Sequence, residues 1–436
     1  MNNSRLLAEK MIKAALSSVD PSLLVFEQLK LEGDILTIQG EEGIDLSSYK
    51  NIYILGAGKG AAPMAKAVEE LLGEKISGGF IVVKYGHTLP LKRIEVLEAG
   101  HPMPDKNSLL AGKKALQIAV KAAENDLVIV LLSGGGSSLL EALPQDISLK
   151  ELGALNEALL GCGAAIGEIN TVRKSLSLIK GGKLAEKIHP AKIITLILSD
   201  IIGDPPAMIA SGPTVVGGKW DENPVSILEK YGLFQKLPAK IIKVLNKKAD
   251  RPENAYFNVK NFIIGNNLRA LTAAENIAKN AGYKTLLLSD CIEGESREVA
   301  KVFTGIIRSI HRNKLPFAPP LCILAGGETT VTLKGSGKGG RNQEMVLAAL
   351  TEMGGVENPF YFCSIGTDGT DGPTDAAGAW IDEKSFEKAE KKGLNAESYL
   401  KNNDSYHFFN KLEQLIKTGP TKTNVMDIMF MLIERE

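Results

Sequence analysis

Short apolar runs alternate along the chain with stretches whose apolar residues recur at helical spacing. The runs at 51–55, 80–84, 127–132 and 193–199 read as buried strands, and 61–72 and 108–123 read as the helices between them. Strands that alternate with helices in this way build a parallel sheet covered on both faces, so the first half of the chain reads as a Rossmann-like α/β domain. A second series, with strands expected at 261–264, 284–288, 321–324 and 361–365, predicts a smaller second α/β domain. The segment 220–254 between them is charged, helical in pattern and without a buried run, and it reads as the interdomain connection. The expected domains are therefore 1–240 and 250–436, with about the last 20 residues free to pack back on the first. No fixed-period repeat or low-complexity tract interrupts this pattern.

Composition narrows the function classes. A length of 436 residues suits two or three domains. Lys plus Arg total 51 and Asp plus Glu total 51, so no global field exists to recruit nucleic acid or an anionic membrane. The longest apolar runs fall far short of the roughly 20 residues that cross a bilayer. Arg5, Glu9, Lys10 and Lys13 break up the apolar N-terminus, which reads as an amphipathic helix, and a cytoplasmic location is expected. The 4 cysteines and 5 histidines have no metal-ligand or disulfide spacing. Glycine is in excess, at 44 residues, and gathers in loops that follow strands.

Those loops hold the candidate chemistry. Gly56, Gly58 and Gly60 surround Lys59 in a strand-to-helix turn of the form G-x-G-x-x-A. The acidic residue that binds a dinucleotide ribose is missing, since the next strand ends in Lys84. A lysine at a helix N-terminus opposes the dipole and makes sense with an anion bound, whereas the plainer reading is a tight turn. Ser133, Gly134, Gly135, Gly136 and Ser137 follow the next strand as a cradle for phosphate or carboxylate, or as a turn kept small for packing. They do not form the G-x-S-x-G elbow of a serine hydrolase. A third glycine loop, 335–340, runs into Arg341 and Asn342 at the start of a helix. Arg341 there suits a multivalent anion such as a transferring phosphoryl group; the alternative is a solvated arginine at a polar loop tip with little packing to lose.

Acidic positions complete the set. Asp200 follows the strand at 193–199, where open α/β sheets bind ligands, and Asp368, Asp371 and Asp375 follow the strand at 361–365. Asp200 is a candidate Mg²⁺ ligand or base and Asp368 a candidate Mg²⁺ ligand, although Asp before Gly, as at Asp368, is also an ordinary turn residue. Glu328, which follows another strand, and Asn342 are candidate substrate- or phosphate-binding residues, with a structural role as the alternative for Glu328, and His101 reads as a loop hydrogen-bonding residue rather than a catalytic base.

Taken in order, these motifs resemble the class II glycerate kinases, whose C-terminal half is called the MOFRL domain. The resemblance runs from Gly-Ala-Gly-Lys-Gly at 56–60 through Ala-Gly-His-Pro-Met-Pro-Asp at 99–105, Leu-Ser-Gly-Gly-Gly-Ser-Ser at 132–138, Asn-Thr-Val-Arg-Lys at 170–174 and Ile-Lys-Gly-Gly-Lys-Leu-Ala at 179–185. It continues through Ser-Gly-Pro-Thr at 211–214, Gly-Gly-Glu-Thr-Thr at 326–330, Gly-Lys-Gly-Gly-Arg-Asn-Gln-Glu at 337–344, Gly-Thr-Asp-Gly-Thr-Asp-Gly-Pro-Thr-Asp at 366–375 and Thr-Gly-Pro-Thr at 418–421. It implies a Rossmann-like domain and a smaller MOFRL-type domain with the active site in the cleft between them. It also implies ATP- and Mg²⁺-dependent phosphorylation of D-glycerate to 2-phosphoglycerate, with Lys59 and Arg341 as the catalytic pair. Ser133, Ser137 and Arg173 are the candidates to hold the substrate carboxylate. One departure is Ser175, where the family commonly has His. A homodimer is compatible with this reading. The rival functions are an NAD(P)H-dependent hydroxypyruvate reductase and a non-catalytic nucleotide- or anion-binding protein.

Overall fold

The strand Asn51–Ala57 is buried over nearly its whole length because it lies at the middle of a six-stranded sheet. In the computed structural model, which describes residues 3–216, 223–246, 258–354, 356 and 358–435, the chain divides into two compact units. One comprises 21–199 and 204–264 and the other 1–20, 200–203 and 265–436.

The sheet of the first unit runs Glu95–Ala99, Gly78–Lys84, Asn51–Ala57, Asp126–Leu132, Lys192–Leu198, Val259–Gly265. Numbered from Asn51–Ala57, this is the order 3-2-1-4-5-6 of a Rossmann sheet, with parallel pairing among the first five strands. Apolar side chains on both faces explain the unbroken run Asp126–Leu132, every residue of which is buried. The helix Ala61–Leu72 packs against this sheet through small residues at its start. A three-stranded antiparallel sheet, Leu29–Glu32, Ile35–Ile38 and Ile44–Asp45, stands apart from it.

Two expectations about the connection change. The helices Pro224–Lys230 and Ala239–Leu245 bury Ile227, Leu228, Ile241 and Leu245 in an apolar cluster with Leu155, Leu159 and Val172, so this stretch is part of the first unit. Residues 220–222 and 247–254 of the expected connection lie outside the described residues. The run at 261–264 does not open the second domain; it extends the first sheet at its edge.

The second unit has a mixed sheet in the order Lys284–Ile292, Leu321–Gly327, Asp427–Ile433, Phe360–Gly366, Gly378–Asp382, Leu415–Ile416. The chain's last strand, Asp427–Ile433, is thus central and antiparallel to both neighbours, so these residues do not return to the first unit. Its wholly apolar stretch Ile428–Ile433 suits a strand covered on both faces. Nor does the N-terminal helix Asn3–Ser18 belong with the first unit: it packs on Asn267–Asn280, and Ser4 Oγ donates to Glu434 at 2.6 Å.

Candidate active site

In the first unit the order of the strands reverses between Asn51–Ala57 and Asp126–Leu132, and this reversal is where open α/β sheets leave a crevice for ligands. Ala57 pairs in register with Leu132, so the loop carrying Lys59 and the loop carrying Ser137 leave the sheet side by side. They are laced together. The Lys59 N–H donates to Gly134 O at 2.9 Å, the Gly60 N–H to Ser133 Oγ at 2.9 Å, and the Ser133 N–H to Ala57 O at 3.1 Å.

This lacing explains the glycines. Gly58 has φ +134°, and a Cβ there would stand 2.2 Å from Ser133 Oγ and 2.5 Å from Ser133 O. A Cβ on Gly56 would meet Ile81 Cγ2 at 2.7 Å. Gly135, at φ +83°, would press into the His101 ring at 2.7 Å, and Gly136 into Ala210 Cβ at 2.8 Å. Ser133 is buried, and its hydroxyl braces the Lys59 loop by accepting from the Gly60 N–H. The His101 imidazole, expected only as a loop residue, lies directly against the glycine cradle.

Ser137 has a different role. Its Oγ lies 2.7 Å from Ser211 Oγ and accepts from Arg173 Nη2 at 3.3 Å. Ala210 at φ +49°, Ser211 at φ +62° and Gly212 at φ +58° form a left-handed stretch that turns Ser211 toward Ser137. Two non-glycine residues held in this region cost free energy, and such strain concentrates at ligand sites. Gly181 and Gly182 clamp the stretch through N–H bonds to Ser211 O at 2.9 Å and Gly212 O at 2.8 Å. Arg173, in the last turn of Ile166–Leu176, has a buried Nε with no hydrogen-bond acceptor. Burial lowers its pKa, and nearby Glu141 opposes that shift. A guanidinium with a buried donor to spare is suited to an incoming carboxylate or phosphate. Ser175 turns back on its own helix, donating to Thr171 O at 2.9 Å.

In the second unit Arg341 begins the helix Arg341–Met353. Its Nε and Nη2 reach the two oxygens of buried Asp427 at 2.5 and 2.9 Å, and Nη1 reaches Glu328 at 2.9 Å. Burial alone would depress the arginine's pKa; Asp427 first, then Glu328 and Asp371, more than reverse that and hold it above its ordinary value. Arg341 is therefore a braced, partly buried side chain rather than a solvated loop tip. The helix N-terminus is occupied as well. Asp371 accepts from the backbone N–H of Asn342 at 3.1 Å and of Gln343 at 2.8 Å. Its pKa is raised to about 6, by burial first and by the neighbouring Asp427.

Asn342 is buried between Asp371 and Ser364, donating to the first at 3.2 Å and accepting from the second at 2.5 Å, so its amide holds the loop rather than facing a ligand. The glycines of 335–340 are packing positions: a Cβ on Gly335 would stand 2.3 Å from Asn402 O, and one on Gly339 2.1 Å from Ser405 Oγ. Asp368 accepts from Thr370 N–H and Oγ1 at 3.0 Å, and its carbonyl accepts from Thr421 N–H at 3.4 Å. Asp200 accepts from Asn424 Nδ2 at 3.2 Å. Among the described residues no group of three or more His, Cys, Asp or Glu side chains is arranged to hold a metal ion, and no helix is long and apolar enough to cross a membrane. The partners Asp427, Ser211, Glu141 and Lys180 were not among the sequence candidates; Lys180 and Ser211 stood inside noted motifs, whereas Asp427 carried no signal beyond being an acid at the head of an apolar run.

The first unit has the Rossmann strand order with two interlocked glycine loops at its switch point, and the second has a mixed sheet with a braced arginine at the start of a helix, which defines a two-unit α/β protein. Residues 7–246 match the family described as "Domain of unknown function (DUF4147)", and residues 321–427 match the MOFRL family. The chain is 39% identical to a glycerate 2-kinase of Pyrococcus horikoshii over 97% of its length and 96% of that protein's. It is also 39% identical to a D-glycerate 2-kinase of Thermotoga maritima, over 98% of both. A relative at 38% identity, from Agrobacterium vitis, is called a putative hydroxypyruvate reductase and aligns over 99% of this chain and 95% of its own. The crystal structure of the Thermotoga maritima glycerate kinase superposes with a TM-score of 0.87 at 38% identity, covering 99% of this chain and all of that one. The chain belongs to the glycerate kinase family with a C-terminal MOFRL domain.

Proposed function

We propose that this protein is a glycerate 2-kinase, transferring the γ-phosphoryl group of ATP to the 2-hydroxyl of D-glycerate. The single observation that carries the substrate side is Arg173, whose buried, unpaired Nε stands beside the paired hydroxyls of Ser137 and Ser211. A small hydroxy acid offers a carboxylate to the guanidinium and hydroxyls to the serines.

Phosphoryl transfer asks the protein mainly for positioning and for positive charge around the moving group. Lys59 would supply a compact cation from a turn that the neighbouring loop fixes in place, and Arg341 would supply a second, its orientation fixed by Asp427. Gly56, Gly58 and Gly60, with Gly134, Gly135 and Gly136, let backbone and phosphate approach closely. Glu328 would tune Arg341 rather than touch substrate.

Magnesium usually keeps several waters and takes only one or two protein carboxylates when phosphates supply the rest. Asp368 and Asp200 fit that role, because the segment 418–426 touches both, through Thr421 and Asn424. The ion, when bound, would screen phosphate charge. A reductase reading is weaker, since Lys84 ends the strand where a nicotinamide cofactor's ribose needs an acid.

The test is the product. The enzyme is incubated with ATP, Mg²⁺ and D-glycerate, and enolase alone is added. Phosphoenolpyruvate without a mutase identifies 2-phosphoglycerate. Phosphoenolpyruvate only after a mutase is added overturns the 2-kinase assignment, and NADH oxidation by hydroxypyruvate with no ADP formed from glycerate overturns kinase activity altogether.

A further inference from the structure

Within electrostatic range of Arg173 lies a fully buried ion pair, Lys180 with Glu141, each side chain 1% exposed. Both carboxylate oxygens of Glu141 are engaged: one accepts from Lys180 Nζ and the other from the Ala142 N–H at 3.0 Å. Glu141 acts electrostatically on both Lys180 and Arg173, and the two cations act on each other. Two buried or half-buried cations thus share one carboxylate.

Such a pair is an expensive way to fill a core. Desolvating both ions costs more than apolar residues of similar volume would, so a buried pair is poor evidence of a stabilising role. Its geometry has another consequence. Glu141 is the carboxylate that acts on Arg173, and if it turned to the guanidinium it would neutralise the cation. Lys180 prevents this by holding the carboxylate. Lys180 is itself fixed by its neighbours, since Gly181 and Gly182 are bonded to Ser211 and Gly212, the strained stretch that also places Ser211 on Ser137.

We propose that Lys180 is a specificity-determining positioning residue: by sequestering Glu141 it keeps Arg173 unneutralised, so that the cluster carries one excess positive charge and takes a substrate with a carboxylate in preference to a neutral polyol. This rests on the glycerate kinase reading for the identity of the substrate. The charge arrangement itself is independent of turnover.

The experiment compares wild type, Lys180→Met, and the double variant Lys180→Met with Glu141→Gln, in steady-state kinetics and in thermal shift with D-glycerate, or with neutral glycerol, in the absence of ATP. In Lys180→Met the freed Glu141 pairs with Arg173. KM for D-glycerate then rises about tenfold or more, KM for ATP stays within about twofold, and Tm holds or rises, because the buried charges now balance. The double variant removes the competing carboxylate, and KM returns to within about threefold of wild type. A purely structural pair would give the reverse, a lowered Tm with KM unmoved. Should Lys180→Met fail to fold, Glu141→Gln serves: with two cations and no carboxylate, its Tm must rise more on adding D-glycerate than that of wild type, and must not respond to glycerol. An unchanged KM in folded Lys180→Met, a double variant no better than the single, or equal thermal shifts in Glu141→Gln and wild type overturns the proposal. Wild type that makes no ADP from glycerate would instead overturn the kinase reading, leaving the thermal shifts to decide this one.

Discussion

The two guanidinium nitrogens of Arg341 that bond the Asp427 carboxylate tie the first residue of a helix to the first residue of the chain's last strand. Asp427 is fully buried, so the arginine is at once a candidate for transition-state charge and the counter-ion of a group that has no access to water. The sequence-based expectation that the fold would be indifferent to Arg341 is therefore replaced. Arg341→Ala should lower kcat by about 10³-fold and cost about 2 to 4 kcal/mol of stability, because it strands the carboxylate. Adding Asp427→Asn should restore most of the lost Tm and none of the lost kcat. Recovery of both together, measured by thermal melts beside ADP release, would make Arg341 structural only.

Lys59→Ala should damage turnover to a similar degree, while the loop-to-loop bond made by its backbone N–H is retained. Lys59→Arg should not rescue it. The turn is closed by Gly58 against Ser133 and by the Gly60 bond to the same hydroxyl, which leaves room for a compact ammonium but not for a planar fork. Turnover of Lys59→Arg near the wild-type rate would show that charge alone is needed.

Four strands of the first unit's sheet were legible because they are apolar over most of their length, whereas Glu95–Ala99, a partly exposed edge strand carrying two glutamates, has no such run. The strand at 261–264 was misassigned because a run in linear order carries no mark of which sheet edge it joins. Asp427–Ile433 has the apolar pattern of a buried strand, but no local signal shows that it inserts between Leu321–Gly327 and Phe360–Gly366. In the site, Lys59, Ser137 and Arg173 stood out by residue type against their surroundings. Asn342 and the glycines of 335–340 stood out as well, yet they serve close packing, because a sequence shows the need for a small or polar residue without showing whether backbone or ligand fills the space. Lys180 and Glu141 are 39 residues apart, and no local pattern joins them.

Gly58→Ala should unfold or strongly destabilise the protein, by about 3 kcal/mol or more, since it combines a strained φ with backbone atoms that cannot move aside. Gly161→Ala is the control. It ends a helix, has no positive φ and meets nothing within 4 Å, so its Tm should be unchanged or slightly raised. Equal melting temperatures for the two variants would remove the steric account of the Lys59 loop.

Asp371 gives the stability a pH dependence of defined sign. Burial raises its pKa to about 6 from an ordinary value of 3.8, so between these limits the folded protein holds a proton that the unfolded chain has released. Stability then falls as pH rises from about 4 to about 6 and the contribution is flat above that, the opposite of the usual carboxylate paired with a cation. Asp371→Asn cannot titrate. It also loses one acceptor for the Asn342 and Gln343 N–H groups, so it should be less stable than wild type at pH 4. The gap should narrow steadily toward pH 6 as wild type gives up its protonated form. Denaturant midpoints for both proteins at half-unit steps across this range measure the gap directly, and a gap that widens with pH would mean that the helix N-terminus and Arg341 stabilise the ionised carboxylate more than burial penalises it.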